Sequence, residues 1–349
     1  LKNTQIIWVD YIRAIACFMV VFLHSAAPLL NKYNELPLNY WFIGNVYDSL
    51  VRVCVPLFFM VSGFLLLQKD EALPLYFSKR FSKLFIPIVF WSLFFVLWRS
   101  FIENDSPLTF WHLYSLVLIP SYYHLWFLYA LIGLYLFVPI LRKITNSADN
   151  KLLIYYCIIW FLAVSIIPFI EKVSGIDSKI DLNSISGFIG YFVLGFLLGK
   201  KEVSTKVFII SCILYLSLVS VTVIGTYYLT MKNEGVFSGY LYSYLAPNTV
   251  LAAGSCFILI KYLAINSKLF QMISISKIIK IISSCSFGIY LVHPVFLYLF
   301  KNGDLGFQLS AFSGDPLLYI PLTSFFVFTL SFFIIFIIKK IPVLKLIAP

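Results

Sequence analysis

Charge is what this sequence has least of. Only 12% of its 349 residues are charged and 61% are hydrophobic, and a water-soluble chain of this length cannot hide so much apolar surface. Linkers and low-complexity stretches are missing as well, so the chain reads as a single domain over 1–349 with no fused extracytoplasmic domain. Its longest connections, near 102–118 and 171–185, are too short to fold alone. No convincing internal repeat is present, which counts against an inverted-repeat transporter. Period-two alternation is absent too, which excludes membrane barrel strands. Cys17, Cys54, Cys157, Cys212, Cys256 and Cys285 all fall in apolar runs. None has metal-ligand spacing and none lies in a loop, so they read as small core residues and no metal site is expected.

What is present is a succession of apolar runs of about 18 to 25 residues, the length at which a helix crosses a hydrocarbon core. Helices are the fitting spanning structure, because in lipid every backbone polar group must be satisfied internally. The fold class expected is therefore all-α, a polytopic membrane bundle of about ten transmembrane helices. The spans fall near 11–30, 43–67, 84–101, 119–141, 152–170, 186–199, 207–230, 243–263, 281–300 and 318–338, with 186–199 the shortest. No small-residue cleavage site follows the first run, which reads as a retained helix and not a signal peptide.

The net charge of +11 would suggest nucleic acid in a soluble protein. Here the positive-inside rule accounts for it, and no nucleic-acid partner is expected. With the N-terminus and C-terminus both cytoplasmic, 18 of the 26 basic residues fall on the cytoplasmic side, six fall outside, and Arg13 and Arg52 lie within spans. The outer loops are correspondingly acidic, with Glu35, Glu103, Asp105, Glu171, Asp177, Asp181, Glu234, Asp304 and Asp315.

Ionisable groups are expensive in lipid and mark function by default. In the first span Arg13 and His24 are eleven residues apart, about 20° beyond three full turns, so they share a helix face and are separated by roughly 16 Å of rise. Cys17 lies between them on that face, and Asp10 is placed to pair with Arg13 at i,i+3. The second span carries Asp48 and, one turn on, Arg52, at a depth similar to that of His24. The fourth opens on Tyr122-Tyr123-His124-Leu125-Trp126, and the ninth contains His293 in its outer half. Three of the four histidines and one arginine thus occupy one layer; His112 lies in an outer loop. The competing reading is that these histidines are helix-packing partners, that Trp126 belongs to an interfacial belt and that Arg52 merely pairs with Asp48.

Taken together, these segments resemble the acyltransferase-3 family of membrane acyltransferases over essentially the whole chain. The residues that carry the resemblance are Arg13 and His24 in the first helix, Arg52 with Pro56-Leu57-Phe58-Phe59-Met60-Val61-Ser62-Gly63-Phe64, His124-Leu125-Trp126-Phe127-Leu128, and Ser286-Phe287-Gly288-Ile289-Tyr290-Leu291-Val292-His293. Phe77-x-x-Arg80-x-x-Lys83 with Pro87 is similar to the family's basic first cytoplasmic loop. Lys83 stands where a second arginine is common; it keeps the charge but lacks the bidentate fork.

The resemblance implies transfer of an acyl group, usually acetyl, from cytoplasmic acyl-CoA to a hydroxyl of a cell-envelope glycan or lipid-linked sugar, in a bacterial cytoplasmic (inner) membrane. Arg13, Arg80 and Lys83 are then expected to hold the phosphates of acetyl-CoA or another acyl-CoA. His24 is expected to act as general base or to carry the acyl group covalently, and Arg52 to steady an oxyanion or orient the acceptor. His293 joins them as a catalytic candidate, and Asp48, His124 and Trp126 as candidates for the acceptor site. A small-molecule transporter and a non-catalytic partner in a glycan-export complex are the alternatives.

Overall fold

Helix is the only regular structure among the residues that the computed structural model describes, which are 6–104, 119–175 and 187–349, the side chains of Phe81 and Ser82 apart. His112, Lys2, Lys179, Asp105, Asp177 and Asp181 lie outside the described residues. In chain order the α-helices of eight residues or more are α1 (Ile7–Ala26), α2 (Leu38–Val51), α3 (Cys54–Leu67), α4 (Leu73–Phe101), α5 (Trp126–Ser147), α6 (Asn150–Phe161), α7 (Ile167–Ser174), α8 (Ile189–Lys200), α9 (Thr205–Lys232), α10 (Pro247–Asn266), α11 (Ile273–Asn302) and α12 (Pro316–Ile338). A π-helical turn, Leu162–Ile166, joins α6 to α7. Among the described residues nine segments are long and apolar enough to cross a membrane. The tenth expected span, 186–199, is α8, whose 12 residues reach only about 18 Å, short of a hydrocarbon core of roughly 30 Å.

Glycine explains why so short a helix is buried. A Cβ on Gly63 of α3 would fall 2.2 Å from the Phe192 carbonyl oxygen, and one on Gly195 of α8 would fall 2.1 Å from that of Met60. Without side chains there, the two backbones pack against each other directly, as small residues permit in membrane helices.

The end of α8 is held by a cation. Lys261, buried on α10, donates from Nζ to the carbonyls of Leu198 (3.0 Å), Gly199 (2.7 Å) and Lys201 (2.7 Å). By its place in the sequence this lysine belongs to the charge of the basic face; it points inward instead, occupying the carbonyls that every helix C-terminus leaves free. Its loss is costly because those carbonyls stay buried: Lys261→Met should destabilise the protein by about 3 kcal/mol, measurable as a lowered melting temperature in detergent.

The second expected span is not one helix. Pro56 cannot donate to the carbonyl of residue 52, and its ring crowds that position. The chain accordingly breaks at Arg52-Val53 between α2 and α3. The break lets Arg52 turn sideways into the bundle.

Helices α1 and α11 run parallel and in register. Asp10, Cys17 and His24 recur every seven residues and form one stripe. Asp10 accepts from Ser283 Oγ at 2.8 Å, Cys17 Sγ donates to the Ser286 carbonyl at 3.3 Å, and the His24 ring stacks on His293 at 5.3 Å. Asp10 therefore turns to Ser283, where the sequence suggested Arg13.

Candidate active site

The basic face opens into a cavity of about 320 Å³ between α1, α3, α4, α5, α11 and the start of the segment after α12. Arg13, Arg80 and Lys83 all line it, together with Ser62, Ser283, Ser284, Ser286, Tyr135 and Lys339. Four cations thus surround one recess. Lys339 donates to the Ser284 carbonyl at 2.6 Å. Burial lowers its ammonium from the usual range; Cys285 opposes the shift and the neighbouring charge of Lys83 adds to it. A crowd of like charge of this kind favours an anionic occupant. Beyond α12 the chain folds back over the rim, where Trp91 Nε1 donates to the Ile347 carbonyl at 2.9 Å and Ala348 packs against Gly288.

Beside this recess a carboxylate keeps two arginines in order. Glu71 accepts from Lys79 (3.1 Å), Arg80 (3.4 Å) and Arg142 (3.1 Å). Burial alone would raise its carboxyl; the hydrogen bonds from Lys79 and Arg142 and the charges of Arg80 and Lys79 outweigh that and hold it below the usual range. Arg142 is buried, donates from Nε to the Leu66 carbonyl at the end of α3 (2.8 Å) and lies over the Tyr76 ring. It therefore organises the approach to the recess.

Phe127 and Tyr290 line the recess and also a second, smaller space of about 30 Å³, deeper in the bundle. That inner space is bordered by His24, His124, Trp126, Tyr244, Cys54 and Val20. His293 packs behind the two imidazoles that border this space, 5.3 Å from His24 and 5.4 Å from His124, ring centre to ring centre, and Tyr123 packs edge-on to His24 at 4.9 Å. Trp126 stacks on Tyr244 at 5.6 Å.

Two of the rings are fixed by carbonyls. His124 Nε2 faces the Leu291 carbonyl at 3.3 Å and His293 Nδ1 faces that of Tyr290 at 2.7 Å. A carbonyl only accepts, so those nitrogens carry the protons. His124 Nδ1 and His293 Nε2 are left bare, buried and without a hydrogen-bond partner, at 1% and 0% exposure. The Tyr290 hydroxyl bonds the His124 carbonyl and ties α11 to the start of α5.

Arg52 stands one aromatic ring away from this group. Its Nη1 meets Asp48 Oδ1 at 3.1 Å and its Nε donates to the Tyr242 carbonyl at 2.9 Å. Its guanidinium lies 5.0 Å from the centre of the Tyr244 ring. Asp48 is wholly buried and touches this site through Arg52. On its far side His24 borders a third space, of about 60 Å³, with Ser25, Lys301, Ser310, Phe312 and Thr323 near the opposite face.

Sequence reasoning missed Lys339, Glu71 and Arg142. Lys339 and Arg142 carried only a topological signal, as two more charges of the basic face.

A helical bundle with nine membrane-length segments among the described residues, and with a basic recess beside a cluster of imidazoles, defines a multi-pass membrane protein. The chain belongs to the acyltransferase-3 family: the family model described as an acyltransferase domain matches residues 6–338. It is a membrane acyltransferase, with an acyl donor and an acceptor as its substrates. No curated protein and no solved structure matches it.

Proposed function

We propose that this protein moves an acetyl or other short acyl group from cytoplasmic acyl-CoA to a hydroxyl of a cell-envelope glycan or lipid-linked sugar, in a bacterial inner membrane, with the basic face in the cytoplasm. Among acyltransferase-3 proteins we liken it to the O-acetyltransferase of enterobacterial common antigen. The observation that carries the reading is the alignment of spaces: the recess and the imidazole chamber share Phe127 and Tyr290, and His24 borders both the chamber and the space near the opposite face.

Coenzyme A presents phosphates at one end and a thin arm at the other. Arg13, Arg80, Lys83 and Lys339 suit the phosphates as donors of charge-assisted bonds. The arm then runs over the roughly 16 Å that separates Arg13 from His24 and brings the thioester carbonyl to the chamber, the Phe127 and Tyr290 rings, which pack edge-on at 5.4 Å, separating to admit it. A hydroxyl arriving through the third space meets His24 from the other side. His24 takes its proton, the oxygen attacks the carbonyl carbon, the C–S bond breaks and the coenzyme A thiolate leaves toward the recess. His124 offers a bare nitrogen at the chamber wall to a hydrogen of a substrate, His293 stacks on His24 and orients it, Trp126 supplies an aromatic face for a sugar, and Arg52, steadied by Asp48, biases the chamber toward developing negative charge.

Purified protein should release coenzyme A from radiolabelled acetyl-CoA and place the label on an extracted envelope-glycan fraction. Neither transfer nor hydrolysis in detergent, together with uptake of a small molecule by reconstituted vesicles lacking acyl-CoA, would turn the reading toward a transporter.

A further inference from the structure

Away from these spaces the bundle has a fourth, which the acyltransferase reading does not use. It is an apolar groove of about 400 Å³, walled by α6 and α9 and floored by α8 and α10. It shares no lining residue with the recess, the chamber or the outer space. Its rims, Ile158, Leu214 and Leu251, are exposed and so face the lipid. Gly254 leaves the floor open, since a Cβ there would meet only Leu198 Cδ1, at 4.0 Å.

Two features define what fits. The first is length: along α10 the groove runs from Val250 to Ile258, about 12 Å, close to the thickness of one leaflet of a core of roughly 30 Å. The second is charge: Lys201 is the one charged residue in the lining, and it lies at the basic-face end of α8. Lys151 in the first turn of α6 and Lys206 in the first turn of α9 stand at the same end of the helices that wall the groove, whereas Lys200 turns its ammonium onto the Phe196 ring. The carboxylates nearby in sequence are Asp149, which is occupied in capping α6 through Leu152 N at 2.8 Å, and Glu202. The one charge lining an apolar slot one leaflet deep is therefore a cation.

We infer that this groove is a binding site for an anionic phospholipid of the leaflet on the basic face, with one acyl chain in the slot and the phosphate at Lys201. Basic pockets between membrane helices recognise anionic headgroups in this way. The site is independent of the transfer chemistry, so either reading stands or falls without the other.

Native mass spectrometry of the purified protein, titrated with phosphatidylglycerol and with phosphatidylcholine of the same acyl chains, tests it. One phosphatidylglycerol should bind per chain, about fivefold more tightly than phosphatidylcholine, the preference one lysine near the membrane surface provides. Lys201→Glu should abolish the preference. Gly254→Leu should fill the slot and lower occupancy by both lipids. Lys201 is exposed, so its variant keeps the test open if Gly254→Leu does not fold. Equal binding of the two lipids, occupancy unchanged by Gly254→Leu, or a lipid-free dimer that Gly254→Leu dissociates would each overturn the assignment.

Discussion

His24→Ala should reduce acyl transfer by about a thousandfold or more, the range in which a positioned base or nucleophile acts, while the helices stay folded. The structural cost is small. His24 is only half-buried and borders two existing spaces, so the shortened side chain extends a cavity and unpairs no further buried polar atom. Donor binding should persist, because the four cations of the recess are untouched. Isothermal titration with a non-hydrolysable acyl-CoA analogue, beside a turnover assay on the same preparation, separates the two quantities. Turnover retained by the purified variant would remove His24 from the chemistry. An acyl adduct trapped on His24 of the wild-type protein would identify it as nucleophile instead of base.

How much of this was legible in the sequence follows from where the information lies. Span positions are local properties of apolar run length, and they agree with the structure except at α8 and at the second span, which is broken into α2 and α3. At α8 the helix is too short to announce a crossing, and its place depends on Gly63 and Gly195 meeting across α3 and α8. The axial spacing of Arg13 and His24 also followed from helix geometry alone. Lateral neighbourhood did not. Depth put His24, His124, His293 and Arg52 in one layer; the structure brings the three imidazoles together and leaves Arg52 behind the Tyr244 ring. The break at Arg52-Val53 was written in Pro56, and the broken second span shows its effect. Asp10 pairing with Ser283, 273 positions away, and Lys339 entering the recess beside Arg13 could not be read from spacing, because they depend on α11 and α12 docking against α1.

Arg13→Ala should weaken acyl-CoA binding by about tenfold to a hundredfold, the loss expected for one charge-assisted hydrogen bond, and appear mainly in KM for the donor. The direction follows from position. Arg13 lies at the recess end of the face it shares with His24, roughly 16 Å from that ring, too far to touch the reacting carbonyl. Removing it takes away binding common to ground and transition states, which raises KM with little change in kcat. Lys339→Ala should act in the same sense, since Lys339 lines the same recess from α12's end. Arg142→Ala provides the contrast: its guanidinium is committed to Leu66 and Glu71, so that variant should lose thermal stability before it loses donor affinity. Donor titrations on the three variants, each paired with a melting curve, distinguish ligand contact from scaffold. If Arg13→Ala binds acyl-CoA as the wild type does, the donor phosphates lie elsewhere and the recess needs another occupant. If binding falls for Arg13→Ala and Lys339→Ala alike, two cations nearly the whole chain length apart serve one anion, and the basic face does more than orient the chain in the membrane.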